Sequence, residues 1–171
     1  MVKQLSIFQT NNLPKKEINK EIINLACDGA SRNNPGPSSA GIVIWQDNKE
    51  IAAKGFFLGK KTNNQSEYLA LILGILCAKK VLKPDQLLNI VSDSKLLVHQ
   101  ILGLYKIKHE NLKILHKTAI SLLHKIDYRI SHVLRDQNKR ADELANEAID
   151  KRLSVPKEFL DLLLHEYNIE I

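Results

Sequence analysis

The chain has 171 residues, of which 44% are hydrophobic and 26% charged, and its formal net charge is +6. This length predicts a single domain with a full hydrophobic core. The proportions of hydrophobic and charged residues are typical of a soluble globular protein. No apolar run approaches the ~18 residues that span a bilayer and no secretory signal pattern opens the chain, so we expect no membrane partner.

The cysteines and the basic charge bear on location and partners. Cys27 and Cys77 have no C-x-x-C spacing, so we expect reduced, buried thiols in a cytoplasmic protein. The basic excess is compatible with binding to a polyanion such as nucleic acid. A lysine-rich surface that serves solubility alone explains the charge equally well.

In the first half of the chain, the sequence pattern predicts strands. Residues 1–20 read as an N-terminal extension, since they contain a polar linker. The predicted elements that follow are a strand at 22–28, a loop at 29–39, a strand at 41–45, a hairpin turn at 47–49 and a strand at 50–58. Short turns between consecutive strands favour an antiparallel meander.

In the second half, the hydrophobic period changes to the helical spacing, as at Leu69, Leu73 and Leu76. The predicted elements are a helix at 66–81, a strand at 87–92, helices at 94–102 and 110–125, a strand at 128–134, and helices at 138–152 and 155–167.

This order predicts an α/β domain over residues 21–153. Its five-stranded mixed sheet should contain three antiparallel strands followed by two parallel strands, with helices on both faces. Residues 154–171 are predicted to form a C-terminal helix that packs on this domain or trails it. In such sheets, ligands bind near strand ends where the connectivity changes.

Four acidic residues lie in separate segments, each at an end of a predicted strand or helix: Asp28, Glu67, Asp93 and Asp142. If the first and fourth strands are parallel neighbours, Asp28 and Asp93 share one sheet edge, which the other two acids can join from helix starts. Carboxylates gathered there repel one another unless a divalent cation neutralises them. The pattern therefore predicts a metal site suited to phosphodiester cleavage.

Structural explanations stay open for these acids. Asn64 and Glu67 fit an N-x-x-E capping box, Asp93 could start a helix, and Asp142 could complement a helix dipole. Asp28 is harder to explain in this way, because an acid that ends an apolar strand needs a partner.

The segments around the four acids form a colinear series over roughly residues 22–152. They are Asp28-Gly29-Ala30-Ser31 with Asn34-Pro35-Gly36-Pro37, Thr62-Asn63-Asn64 with Glu67, Ser92-Asp93-Ser94, and Asn138 with Ala141-Asp142-Glu143-Leu144-Ala145. Each motif is short, but together and in this order they resemble type 1 ribonuclease H. The resemblance implies the ribonuclease H-like fold, which agrees with the sheet predicted above.

The resemblance implies hydrolysis of the RNA strand of RNA–DNA hybrids to 5′-phosphate and 3′-hydroxyl ends. Two divalent cations, Mg²⁺ or Mn²⁺ in its place, would be held by the four carboxylates, with Asp28 bridging both. One cation would activate the attacking water and the other would stabilise the leaving 3′ oxygen. His132 matches a histidine that assists proton transfer or product release, although a structural histidine is the alternative.

Five further residues are implied as substrate contacts. Asn34 and Asn64 match positions that contact the 2′-hydroxyls of the RNA strand, the groups that distinguish RNA from DNA. Gly29 and Gln65 lie in the same motifs. Lys95 stands where many relatives carry glutamine, so a phosphate contact is favoured over a minor-groove contact there.

The chain departs from relatives that carry a tryptophan-containing basic projection, because the stretch after residue 102 is short. It resembles the compact subgroup, whose grip on a hybrid would rest on dispersed lysines such as Lys106, Lys108 and Lys113. Sparse contacts to the DNA strand leave cleavage of double-stranded RNA open. A non-catalytic nucleic-acid-binding module is the other alternative, and we expect a monomer.

Overall fold

The computed structural model describes residues 20–171, so the predicted extension lies outside the described residues except for Lys20. The strands are β1 (Ile22–Ser31), β2 (Gly36–Gln46), β3 (Lys49–Lys61), β4 (Leu87–Ser92) and β5 (Tyr128–His132). The helices are α1 (Asn63–Lys79), α2 (Lys95–Ile101), α3 (Glu110–Leu123), α4 (Lys139–Lys151) and α5 (Lys157–Tyr167). None of these helices has the length and apolarity needed to cross a bilayer.

The five strands form one mixed sheet in the order β3-β2-β1-β4-β5. β1 pairs antiparallel with β2, and β2 with β3, whereas β4 runs parallel to both β1 and β5. The predicted mixed sheet is confirmed. Because β1 and β4 are parallel neighbours, the residues at their carboxyl ends meet at one edge of the sheet.

The loop predicted at residues 29–39 is wrong, because most of it is strand. β1 continues to Ser31 and β2 begins at Gly36, so a tight turn of four residues joins them. Ser38 and Ser39 are fully buried, and each hydroxyl donates a hydrogen bond to a main-chain carbonyl. These bonds satisfy the polar groups that, in the sequence, resemble turn chemistry.

The two faces of the sheet are covered by different helices. Leu25 and its β1 neighbours two residues away belong to the main core, together with α1 and α3. Ala26 faces the other side and packs against Ala141 and Leu144 of α4. Strand alternation therefore directs Asp28, two residues beyond Ala26, to the face covered by α4.

α4 lies directly on the main chain of β2 and β3 at two glycines. A Cβ atom at Gly41 would lie 1.9 Å from the carbonyl oxygen of Ala141, and one at Gly55 would lie 2.5 Å from that of Leu144. Only glycine allows this approach. The contact at Gly41 fixes the first turn of α4 against the sheet.

The C-terminal segment packs against the domain. Phe159 and Leu163 on α5 and Ile169 beyond it are buried in the main core. The helix begins two residues later than the sequence predicted, at Lys157, since Pro156 is its N-cap residue.

Candidate active site

Asp28 and Asp93 lie just beyond the last paired residues of the parallel strands β1 and β4. Asp28 is two residues beyond Ala26, which is paired with Val91, and Asp93 is two residues beyond Val91. Asp28 is only 5% exposed. The negative charge of Asp93 is close enough to raise the pKa of Asp28.

Glu67 is brought to the same place by the start of α1. Thr62 caps this helix: its hydroxyl accepts the N–H of Gln65 at 3.3 Å, and the Gln65 side chain accepts the N–H of Thr62 at 2.9 Å. The alternative capping box of Asn64 and Glu67 is therefore wrong. Instead, Oε2 of Glu67 accepts the N–H of Gly29 at 3.1 Å.

Gly29 makes this contact possible. A Cβ atom there would lie 2.2 Å from the main-chain nitrogen of Glu67, so a side chain at this position would push α1 away from β1. The contribution of Gly29 seen in the structure is to seat Glu67 beside Asp28. Its implied contact with substrate stays a prediction.

Asp142 joins the group from the first turn of α4. One of its carboxylate oxygens accepts a hydrogen bond from Nη2 of Arg135 at 2.8 Å, and the other accepts from Nδ2 of Asn146 at 3.3 Å. Arg135 begins a single 3-10 turn that links β5 to α4. Asp142 is thus held by an ion pair as well as placed near the positive end of the helix dipole.

Asn138 connects these elements and is 2% exposed. Its side-chain nitrogen donates to the main-chain carbonyl of Cys27 at 3.1 Å and to Oδ1 of Asp93 at 2.7 Å. Its own main-chain carbonyl accepts the N–H of Asp142 at 3.1 Å. Asn138 therefore ties the strand ends that carry Asp28 and Asp93 to the helix that carries Asp142.

The four carboxylates predicted from the sequence line one cavity of about 340 Å³. Its lining residues are Asp28, Gly29, Ala30, Ser31, Asn63, Glu67, Asp93, Arg135, Asp142 and Asn146. Arg135 contributes a positive charge to this otherwise acidic lining. The four segments are far apart in sequence, so the fold alone brings their acids together.

Burial and mutual repulsion keep the carboxyl groups from ionising freely. Burial, then the charge of Asp93, a hydrogen bond to it and the charge of Asp142 raise the pKa of Asp28 to about 7. Burial, then the charges of Asp28 and Asp93 raise the pKa of Glu67 well above its ordinary value, although the N–H of Gly29 lowers it. The site holds more negative charge than its protein donors stabilise.

The chemistry of this lining fits a divalent cation. It offers four carboxylate groups, the hard oxygen ligands that Mg²⁺ and Mn²⁺ prefer. Within residues 20–171, however, no three Asp, Glu, His or Cys side chains are arranged to hold one ion. Glu67, Asp93 and Asp142 each accept hydrogen bonds from protein donors.

His132 and Lys95 lie outside this lining. His132 ends β5 opposite Ser92, at the same sheet edge as Asp93. The residue is exposed. Lys95 is the exposed first residue of α2. The roles implied for both stay predictions.

Three of the implied substrate contacts meet in a second cavity of about 260 Å³, lined by Asn34, Asn64 and Gln65 among others. Oδ1 of Asn34 accepts the N–H of Asn63 at 2.9 Å, and Asn63 also lines the carboxylate cavity. The two cavities are therefore neighbours. The amide oxygen of Gln65 is engaged in the helix cap, and contacts of these residues to nucleic acid stay predictions.

Comparisons with known proteins agree with this arrangement. A family model described as reverse transcriptase-like matches residues 26–148. Ribonuclease HI of Halobacterium salinarum is 39% identical over 125 residues, covering 72% of this chain and 62% of that protein. LC11-RNase H1, isolated from compost, has been solved in complex with an RNA/DNA hybrid. It matches with a TM-score of 0.70 and 34% identity, over 77% of this chain and 99% of that chain. The chain belongs to the type 1 ribonuclease H family.

The predicted family and fold are thereby confirmed. The bifunctional protein Rv2228c of Mycobacterium tuberculosis is a further relative, 38% identical over 131 residues, which cover 74% of this chain and 35% of that protein. The chain thus spans less than two thirds of the length of these curated relatives. As a type 1 ribonuclease H, it is of the compact kind, since residues 102–109 join α2 to α3 without a further helix.

Two residues of this ribonuclease H site were missed by the sequence prediction. Asn138 was noted as part of a motif but given no role, since its two acceptors lie 111 and 45 residues away in the chain. Arg135 showed no signal beyond its charge.

Proposed function

We propose that this protein is a divalent-metal-dependent endonuclease that hydrolyses the RNA strand of RNA–DNA hybrids, leaving 5′-phosphate and 3′-hydroxyl ends. One observation carries the proposal: four carboxylates from four separate segments line one cavity. Membership of the type 1 ribonuclease H family and the likeness to LC11-RNase H1, solved with an RNA/DNA hybrid, support the choice of substrate.

The four carboxylates would hold two divalent cations, Mg²⁺ or Mn²⁺. When bound, the cations supply an activated water and stabilise the leaving 3′ oxygen in an in-line displacement. The protein positions the ligands: Asp28 and Asp93 come from adjacent strands, and Asn138 orients Asp93. Since the pKa of Asp28 is about 7 in the metal-free site, loading the site near neutral pH displaces a proton.

Other residues would act on the substrate. His132, exposed at the same sheet edge, would transfer a proton or assist product release, because an imidazole nitrogen can accept and donate a proton. Asn34 and Asn64 would contact 2′-hydroxyls beside the cavity, which selects the RNA strand. Lys95, exposed at the start of α2, would contact a phosphate.

A cleavage assay tests the proposal. Purified protein is incubated with a hybrid whose RNA strand is labelled, in Mg²⁺ or Mn²⁺. We expect internal cuts in the RNA strand, with 5′ ends that accept a kinase label only after phosphatase treatment. Asp28→Asn should lower cleavage at least about 1,000-fold, since it removes a charged ligand of the reaction centre. Asp161→Asn, an exposed change on α5, is the control and should cleave normally.

The assay also separates the alternatives. Equal cleavage by wild type and Asp28→Asn would contradict the proposal. Binding of the hybrid without cleavage in either cation would support a non-catalytic module. Double-stranded RNA is run in parallel, and its cleavage would broaden the substrate class.

A further inference from the structure

The segment after α5 folds back onto the body of the protein. Asn168 ends the helix in a left-handed conformation with φ of 54°. The N–H of Ile169 then donates to the carbonyl of Leu163 at 2.9 Å, and the Ile169 side chain is 7% exposed within the main core. Residues 168–171 therefore have a fixed course, anchored by Ile169.

This segment contacts the residues that precede and begin α1. Nζ of Lys61 donates to the carbonyl of Glu170 at 3.1 Å. A cavity of about 230 Å³ is lined on one side by Ile169 and Glu170 and on the other by Lys61 and Gln65. Gln65 is also the residue whose side chain completes the cap of α1.

The contacted turn, residues 61–65, leads to both cavities of the site. The carbonyl of Lys61 accepts the hydroxyl of Ser31 at 2.9 Å, and Ser31 and Asn63 line the carboxylate cavity. Asn64 lines the neighbouring cavity. A displacement of residues 61–65 would move Asn64 and Gln65 in this neighbouring cavity, whereas the four acids lie outside the displaced residues.

Residues 61–65 join β3 to α1 and are less buried than the part of α1 that follows. They are half-buried or exposed, whereas α1 is buried in the core from Ser66 to Leu76. Lys61 pairs with Gly36 of β2, and the stretch also bonds to Ser31 and Asn34. On its outer side, it contacts the segment after α5. The buried side chain of Ile169 anchors the segment in the core, and Lys61 connects the segment to residues 61–65.

We propose that residues 168–171 are a positioning segment that holds the turn at 61–65 in the geometry needed to bind the RNA strand. The inference rests on the proposed function. In this role, α5 both fills the core and places residues 168–171 beside the edge of the site. The segment itself does not touch the reacting atoms.

Ile169→Ala tests the segment, with Phe159→Leu as the matched control. Phe159 is also buried, on α5 itself, but it lies under Lys80, at the other end of α1. Both variants should have lower melting temperatures. Only Ile169→Ala should raise KM for the hybrid, about fivefold, with kcat changed less than about twofold, since ground-state binding is affected and the chemistry is not.

Lys61→Ala tests the connection. It should raise KM in the wild-type background but add little in the Ile169→Ala background, because both changes release the same contact. Lys80→Ala, which breaks the ion pair between Lys80 and Glu158, should leave KM unchanged. Additive effects of Lys61→Ala and Ile169→Ala would instead indicate that Lys61 contacts the nucleic acid directly and would overturn the proposal.

Hydrogen exchange gives a readout that does not need cleavage. The amides of residues 62–66 should exchange faster in Ile169→Ala than in Phe159→Leu, and equal exchange would overturn the inference. Absence of cleavage by the wild type would contradict the proposed function. Cleavage by the wild type with an unchanged KM in Ile169→Ala would contradict the positioning role alone.

Discussion

At the scale of single residues, Asn138 has the largest number of connections in the site. It is buried, and its side-chain nitrogen donates to the main-chain carbonyl of Cys27 and to the carboxylate of Asp93. Its main-chain carbonyl accepts the N–H of Asp142. We expect Asn138→Ala to reduce kcat about 10-fold or more, as loss of groups that orient ligands commonly does. The unpaired acceptors should also cost about 1–3 kcal/mol of unfolding free energy. Steady-state kinetics and denaturant unfolding measure both.

Asn89 provides a matched control for this prediction. It also bridges the sheet, donating to Asn24 and accepting from Arg129, each at 2.7 Å, but it lies away from the acids. Asn89→Ala should lower stability without changing kcat. If Asn138→Ala behaves the same way, Asn138 has a structural role only.

The same residues show where sequence alone reached its limit. The acids could be predicted because Asp28 and Asp93 end apolar strands, where a carboxylate needs a partner. Arg135 and Asn138 could not, because a polar side chain before a helix has many possible acceptors and only the folded chain selects among them. Strand extension to Ser31 was missed for a related reason: partners that satisfy buried hydroxyls are not visible in the sequence.

At the scale of elements, the packing of α4 determines where Asp142 lies. The sequence predicted a helix at 138–152, but not the glycine on which it rests. Gly41→Ala would place a Cβ atom 1.9 Å from the Ala141 carbonyl and push the first turn of α4 off the sheet. We expect a loss of about 3 kcal/mol of unfolding free energy from overpacking, together with reduced cleavage.

Gly59→Ala is the comparison for this change. Gly59 has a positive φ of 71°, but nothing lies within 4 Å of the added atom, so it should cost about 1 kcal/mol of backbone strain. Denaturant unfolding of both variants measures the difference. A smaller loss for Gly41→Ala than for Gly59→Ala would show that α4 does not rest on Gly41 as described.

At the scale of the whole molecule, the fold concentrates acids in one cavity although the chain as a whole carries a net charge of +6. The folded pKa of Asp28, about 7, lies above its ordinary value of 3.8. The stabilisation that protonated Asp28 contributes is therefore fully present below about pH 4. It is lost as the pH rises from about 4 to about 7, since the folded state must then release the proton. At about 1.4 kcal/mol per pKa unit, the loss is on the order of 4 kcal/mol at most.

The unfolding free energy of wild type and Asp28→Asn, measured from pH 4 to about pH 8 with and without Mn²⁺, tests the convergence of the four acids most directly. Without the cation, we predict that Asp28→Asn becomes the more stable protein as pH rises, because asparagine carries no charge. With Mn²⁺ at about pH 8, the wild type should gain stability and the variant should gain much less. An Asp28→Asn that is less stable than the wild type at about pH 8 without metal, or an equal response of both proteins to Mn²⁺, would contradict a shared cation site.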